Sequence, residues 1–189
     1  MKQIENVGIN VFDDLLDDAY FNYLQKCIEE YPFQWIYSPD TTYENTLEYG
    51  SFGFSHLLLN LRKSPLSHQN FESRYYPHFA GLICAMEKYT GNYNIPIRSR
   101  VDMLLYNPDI YQHGPHIDCD WESDYVTTIF YMNESDGETL IFDKFYDGTH
   151  KSLSKEINLP VKKRIEPKEN RLVVFDGALY HTGHSPSTH

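Results

Sequence analysis

His116 and Asp118 stand two apart in the segment QHGPHIDCD. In an extended chain, residues two apart project to the same side. An imidazole and a carboxylate on one strand face can therefore reach one metal ion. A third donor comes from NRLVVFDGALYHTGHSP, where a strand and a tight Asp-Gly turn lead to His181. Two imidazoles and a carboxylate on one side of an octahedral ion leave its other side open. That suits iron(II), with room for oxygen and an oxidisable co-substrate. His116, Asp118 and His181 are accordingly the candidate metal ligands and catalytic residues. An HxD pair alone is weak in a chain with 9 His. The order of segments adds the weight: HxD, then strands flanking a Gly-Glu-Thr turn, then the strand-turn-His unit.

Other residues compete for these places. His113 and His116 form HxxH, as do His181 and His184, and four imidazoles would suit zinc. HxxH converges on a helix, but Gly114-Pro115 interrupts the first pair. On a strand, positions three apart face opposite sides. His113 and His184 are expected beside the ligand set or on the surface rather than in it. Asp120 shares the alternating face of Asp118, one pleat further on and next to Trp121. Asp118 is preferred.

The elements that must position these residues are strands. SRVDMLLY, YVTTIFYM, ETLIFD and RLVVFD are short, rich in β-branched and aromatic residues, and separated by Gly, Asn, Asp and Pro. Asp136-Gly137 and Glu169-Asn170 sit where hairpin turns belong. Helices precede them. The spacing of Leu15, Leu16, Tyr20, Tyr23, Leu24, Cys27, Ile28 and Tyr31 predicts an amphipathic helix from Asp13 to Tyr31, ended by Pro32. Asp13 and Asp14 suit its N-terminus. A second helix is predicted from Pro77 to Thr90, with Gly91 as its cap. Residues 37–61 suggest one or two irregular strands around Phe52, Phe54 and Leu57, and residues 62–70 a loop. Helices first and strands afterwards imply α+β, with helices buttressing a β-sandwich or barrel. A single domain is expected over residues 1–189, with a lead-in over 1–95 and the strand-rich core with the metal site over 96–189.

The 189 residues carry 16 Lys and Arg against 27 Asp and Glu, a net charge of -11. Such a surface does not attract phosphate backbones as a whole, so nucleic acid is disfavoured as a partner. A small molecule or peptide is the expected one; oligomeric state is not legible. Cys27, Cys84 and Cys119 are odd in number and form no CxxC pair, which points to free thiols in a reducing compartment. No apolar run reaches bilayer length and the N-terminus lacks a secretory stretch, so a cytoplasmic location without a membrane partner is expected.

The residues from Ser99 to Pro186 resemble the prolyl-4-hydroxylase-like branch of the 2-oxoglutarate- and iron(II)-dependent oxygenases. The resemblance lies in LLYNPDIYQHGPHIDCD, VTTIFYMNESDGETLIF and ENRLVVFDGALYHTGHSP, in that order. It implies a double-stranded β-helix, or jelly roll. It also implies an iron(II) and 2-oxoglutarate-dependent dioxygenase hydroxylating a peptidyl proline, an amino acid or another small molecule, with ascorbate as a further cofactor of such enzymes. The family triad carries over onto His116, Asp118 and His181. The family's co-substrate tyrosines match Tyr106 and Tyr131. Ile129 and Thr127 share a strand face with Tyr131 and suit the lining of a pocket for a slender diacid, and Thr139 is a further lining residue.

The family places a cation for the far carboxylate on its last strand, past the distal His. The residues shown end at His189, ahead of that place, so the final strand is expected to be missing from them. Arg100, Arg171 and Lys163 lie in or near strands and are the open alternatives. Phe145, Tyr146 and His150, in the loop from Asp143 to Leu159, could contact substrate, and so could the aromatic stretch from Tyr37 to Phe54. Two rival readings stay open: a cupin-like metal enzyme that does not use 2-oxoglutarate, and a non-catalytic jelly-roll binding module.

Overall fold

The computed structural model describes residues 8–30, 32–39, 52–61, 71–90, 95–120 and 124–188. The positions expected of Tyr31, Gly91, Trp121 and residues 62–70 lie outside them. Among the described residues there are two helices and ten strands, and the fold is α+β with antiparallel sheets.

Helix α1 (Asp18–Glu29) begins five residues later than Asp13. Asp17 is the true cap, its carboxylate accepting from the Tyr20 backbone N–H at 3.1 Å. Asp13 instead holds Arg171. Phe21 and Leu24 bury one face of α1. Helix α2 (Tyr76–Glu87) carries Pro77 in its first turn and buries Phe79 and Leu82. Both helices pack with Leu16, Phe33 and Leu58, and Val101 and Phe130 close this cluster from the strand side.

Three sheets complete the fold. In the first, β9 (Arg171–Asp176) lies between β1 (Asn10–Phe12) and β6 (Val126–Tyr131). In the second, β7 (Thr139–Phe145) lies between β10 (Leu179–Gly183) and β8 (Val161–Ile165). In the third, β3 (Gly53–Asn60) pairs with β2 (Ile36–Ser38), β4 (Phe71–Glu72) and β5 (Arg98–Leu104). The first two sheets face each other. Ile141, Ile165 and Leu179 from one meet Val173, Phe175 and Ile129 from the other in one apolar cluster.

The two expected hairpins do not form. β6 pairs with β9, whereas β7 pairs with β10 and β8. Asp136-Gly137 and Glu169-Asn170 therefore carry the chain from one sheet to the other. Asn170 takes a positive φ of 58°. Its side chain accepts from the Leu16 N–H and donates to the Leu16 carbonyl, so the crossing is tied to the entry of α1. Such a residue mimics a hairpin turn in sequence because Asn tolerates the left-handed region in either setting.

The loop after β7 covers the outer face of its sheet. Tyr146, Leu153 and Leu159 pack against Ile117, Leu140, Phe142 and Tyr180. No described helix is long and apolar enough to cross a membrane.

Candidate metal centre

The HxD segment runs antiparallel to β10. The His116 N–H donates to the His181 carbonyl at 2.9 Å, and the His181 N–H returns to the His116 carbonyl at 3.0 Å. This reciprocal pair sets the two imidazoles side by side, with ring centroids 4.7 Å apart. Alternation then does its work. Ile117, fully buried, points into the outer cluster, so His116 and Asp118 point inward. On β10, Tyr180 likewise points outward while Leu179 and His181 face the sandwich interior, where Phe175 meets the His181 ring edge-on at 5.0 Å.

One donor atom from each of His116, Asp118 and His181 lies within 4.8 Å of the other two. His181 Nε2 is 3.4 Å from Asp118 Oδ2. Thr127 on β6 donates its hydroxyl to the same Asp118 oxygen at 3.2 Å. Burial lowers the His116 pKa to about 3, with the neighbouring His181 acting in the same direction. Burial opposes the charge of Asp118, but His181, His116 and Arg100 outweigh it and hold the carboxyl well below the usual range. A neutral imidazole beside an ionised carboxylate is the protonation state in which both bind metal. Asp118 is densely surrounded by protein, yet its side chain keeps 28% exposure. The Asp118 carboxylate is therefore reachable from solvent.

The turn before His181 is built for this approach. Asp176 accepts from the Ala178 N–H at 2.9 Å, closing the Asp-Gly turn. A Cβ on Gly177 would fall 2.2 Å from the Tyr125 ring. Tyr125 uses that close contact: its hydroxyl donates to the Gly177 carbonyl at 2.6 Å and accepts from the Cys119 N–H at 3.1 Å. It thereby bridges the β9–β10 turn to the residue next to Asp118. Sequence reasoning missed Tyr125, and no spacing rule would have found it, because its partners are backbone atoms.

The competing residues fall elsewhere. Asp120 is exposed and stands outside the ligand group. His113 is buried, stacked edge-on to Tyr111, and its carbonyl accepts from Thr182. His184 pairs with Gln112 at 3.1 Å. The loop residues are set apart too. Tyr146 packs on Tyr180, on the face of β10 opposite His181, and the His150 carbonyl accepts the Tyr180 hydroxyl. Phe145 joins the sandwich interior.

The proposed co-substrate residues divide. Ile129 lies in the sandwich cluster, and Tyr131 packs against it while donating its hydroxyl to Thr139 at 2.8 Å. Thr127 holds Asp118. Tyr106 lies past the end of β5 and is 49% exposed. Of the cations, Arg171 binds Asp13 through Nε at 2.6 Å and a second nitrogen at 3.0 Å. Lys163 is in register with Ile141, which is in register with His181. Its chain neighbours are paired, Lys162 with Asp143 and Arg164 with Glu138. Lys163 itself is half-buried, shares the inner face with Ile165, and has no ion-pair partner among the described residues.

A scan against protein-family models finds no match, and a search of curated proteins finds none.

Proposed function

We propose that the protein is an iron(II)- and 2-oxoglutarate-dependent dioxygenase that hydroxylates its substrate on a jelly-roll core. The observation that carries the reading is the convergence of His116, Asp118 and His181 on one point. The donor set fits iron(II): an imidazole kept neutral, a second imidazole and an ionised carboxylate, all to one side. When bound, iron(II) supplies the open coordination positions at which oxygen and an organic co-substrate can meet. The facing sheets, with the chain crossing between them from β6 to β7, from β8 to β9 and from β9 to β10, support the jelly roll.

The chain's own residues then have separate tasks. Thr127 orients the Asp118 carboxylate, and Phe175 keeps water from one edge of His181. The Tyr131 and Thr139 hydroxyls form a polar pair within an apolar lining, where a dicarboxylate's far end can be received. Lys163 supplies the cation such a group requires when desolvated. Two strand spacings separate its row position from His181, about 10 Å, a span that side chains and a slender diacid close together. Arg171 serves Asp13 instead.

The test is succinate formation from 2-oxoglutarate under oxygen. Wild-type protein is expected to form succinate only with iron(II), and H116A and D118A to form none. A wild-type protein without iron-dependent succinate formation, or variants as active as wild type, would overturn the reading.

A further inference from the structure

The stretch ahead of the HxD segment shapes a recess of about 310 Å³ with part of the loop after β7, at the small end of ligand pockets. His116, Asp118 and His181 take no part in its lining. Gln112 of the lining pairs with His184 as His116 pairs with His181. The recess is thus displaced from the metal cluster along the strand by about 10 Å. Its inner wall offers donors. Asn107 is 6% exposed and lines the recess. Its Oδ1 accepts from the Asp109 N–H at 3.1 Å, while its Nδ2 has no partner among the described residues. Gln112 repeats the pattern: its Oε1 is taken by His184 at 3.1 Å, and its Nε2 has no partner among the described residues. A buried donor left unmatched is costly, so its retention points to a ligand that uses it. The rim offers acceptors. Asp109 and Glu156 are exposed, and neither carboxylate has a partner among the described residues. Apolar surface completes the lining: the Tyr111 ring, faced by Lys155 Nζ at 4.9 Å, and Ile110, 52% exposed. Ile110 holds a positive φ of 47°, which a β-branched residue adopts only when its surroundings impose it.

We propose that this recess binds a neutral sugar, one monosaccharide unit held apart from the metal centre. A hydroxyl meets both halves of the lining, because it accepts from an amide N–H and donates to a carboxylate. An anion would meet the amides but face Asp109 and Glu156. A cation would meet those carboxylates but leave the Asn107 donor unmatched. An apolar ring would leave that donor unmatched as well. A peptide amide offers one acceptor and one donor where the lining presents two amides and two carboxylates. A pyranose carries several hydroxyls on a compact body, and its C–H faces suit Tyr111 and Ile110. The proposal stands independently of the dioxygenase reading, since no metal ligand lines the recess.

The test is equilibrium binding to the full chain, followed by ligand-observed NMR, with glucose, galactose, mannose and xylose as probes. Glucuronate, glucosamine, cyclohexanol and N-acetylglycinamide are the anionic, cationic, apolar and amide controls. At least one neutral sugar is expected to bind at millimolar concentration, and more tightly than every control. N107A should weaken it by about three- to tenfold, the size of one neutral hydrogen bond. D109A and E156A should do the same without a change in melting temperature, so the proposal stays testable if N107A fails to fold. Mn(II) affinity is expected to remain that of wild type in D109A and E156A. No neutral sugar bound, a control bound as tightly, or wild-type sugar binding in both D109A and E156A would each overturn the proposal. So would Mn(II) affinity falling together with sugar binding, which would put the sugar at the metal centre.

Discussion

Three side chains converge on one point, and a fourth bonds to one of them. Thr127 is the one side-chain hydroxyl seen bonding to Asp118 among the described residues. Partners of this kind tune a metal site through orientation rather than through ligation. T127V keeps the shape and removes the donor. Its Mn(II) affinity is expected to fall by about ten- to a hundredfold with little change in melting temperature, measured by titration and thermal denaturation. Unchanged affinity would show that the carboxylate is held by the backbone alone. The grouping itself was legible at this scale: HxD declares its strand alternation, and Asp118 rather than Asp120 lies in the group, a choice that alternation did not make because both share one face. The support was not legible. Thr127 reads as a pocket-lining residue, and Tyr125 as an ordinary strand aromatic, until their partners are placed in space.

The segment 112–119, β10 and the turn before it act as a unit. Gly177 admits the Tyr125 ring, and the Tyr125 hydroxyl ties the turn to Cys119. G177A is therefore expected to cost about 1–3 kcal/mol through overpacking, and to weaken metal binding at the same time. A thermal melt with and without Mn(II) checks both. Wild-type behaviour in both would refute the coupling. At the N-terminal entry, Arg171 and Lys168 hold the Asp13 carboxyl down to about 2. Its folded pKa lies below its unfolded value, so the contribution to stability is present above the unfolded pKa and is lost as pH falls toward 2. D13N should flatten that acid limb, by less than about 1 kcal/mol for so exposed a pair, as read from melting temperatures between about pH 5 and 2. An unaltered slope would deny Asp13 this part. Element boundaries show where sequence reading fails. The strands after β5 were largely recognisable from β-branched and aromatic runs. β8 and β10 were not named among them: VKKRI is rich in charge and carries a register shift, and LYHTG holds few β-branched residues. The hairpins failed because turn residues reveal that a chain reverses, not which sheet receives it.

For the molecule as a whole, the segment 112–119, β6 and β10 bring His116, Asp118, Thr127 and His181 together. The net charge of -11 makes unpaired inward cations conspicuous, and Lys163 is one among the described residues. K163M should raise the 2-oxoglutarate concentration needed for half-maximal succinate formation by about tenfold or more, with K163R recovering part of the loss. An unchanged requirement would move the far carboxylate elsewhere. The proposed function requires that His116, Asp118 and His181 make one metal site on which 2-oxoglutarate binding depends. The direct measurement is the number of iron and 2-oxoglutarate molecules bound per chain without oxygen, in wild type and in H181A. One of each is expected in wild type, with 2-oxoglutarate bound only when iron is present and neither retained by H181A. Binding of 2-oxoglutarate without metal, or iron held as tightly by H181A, would contradict it.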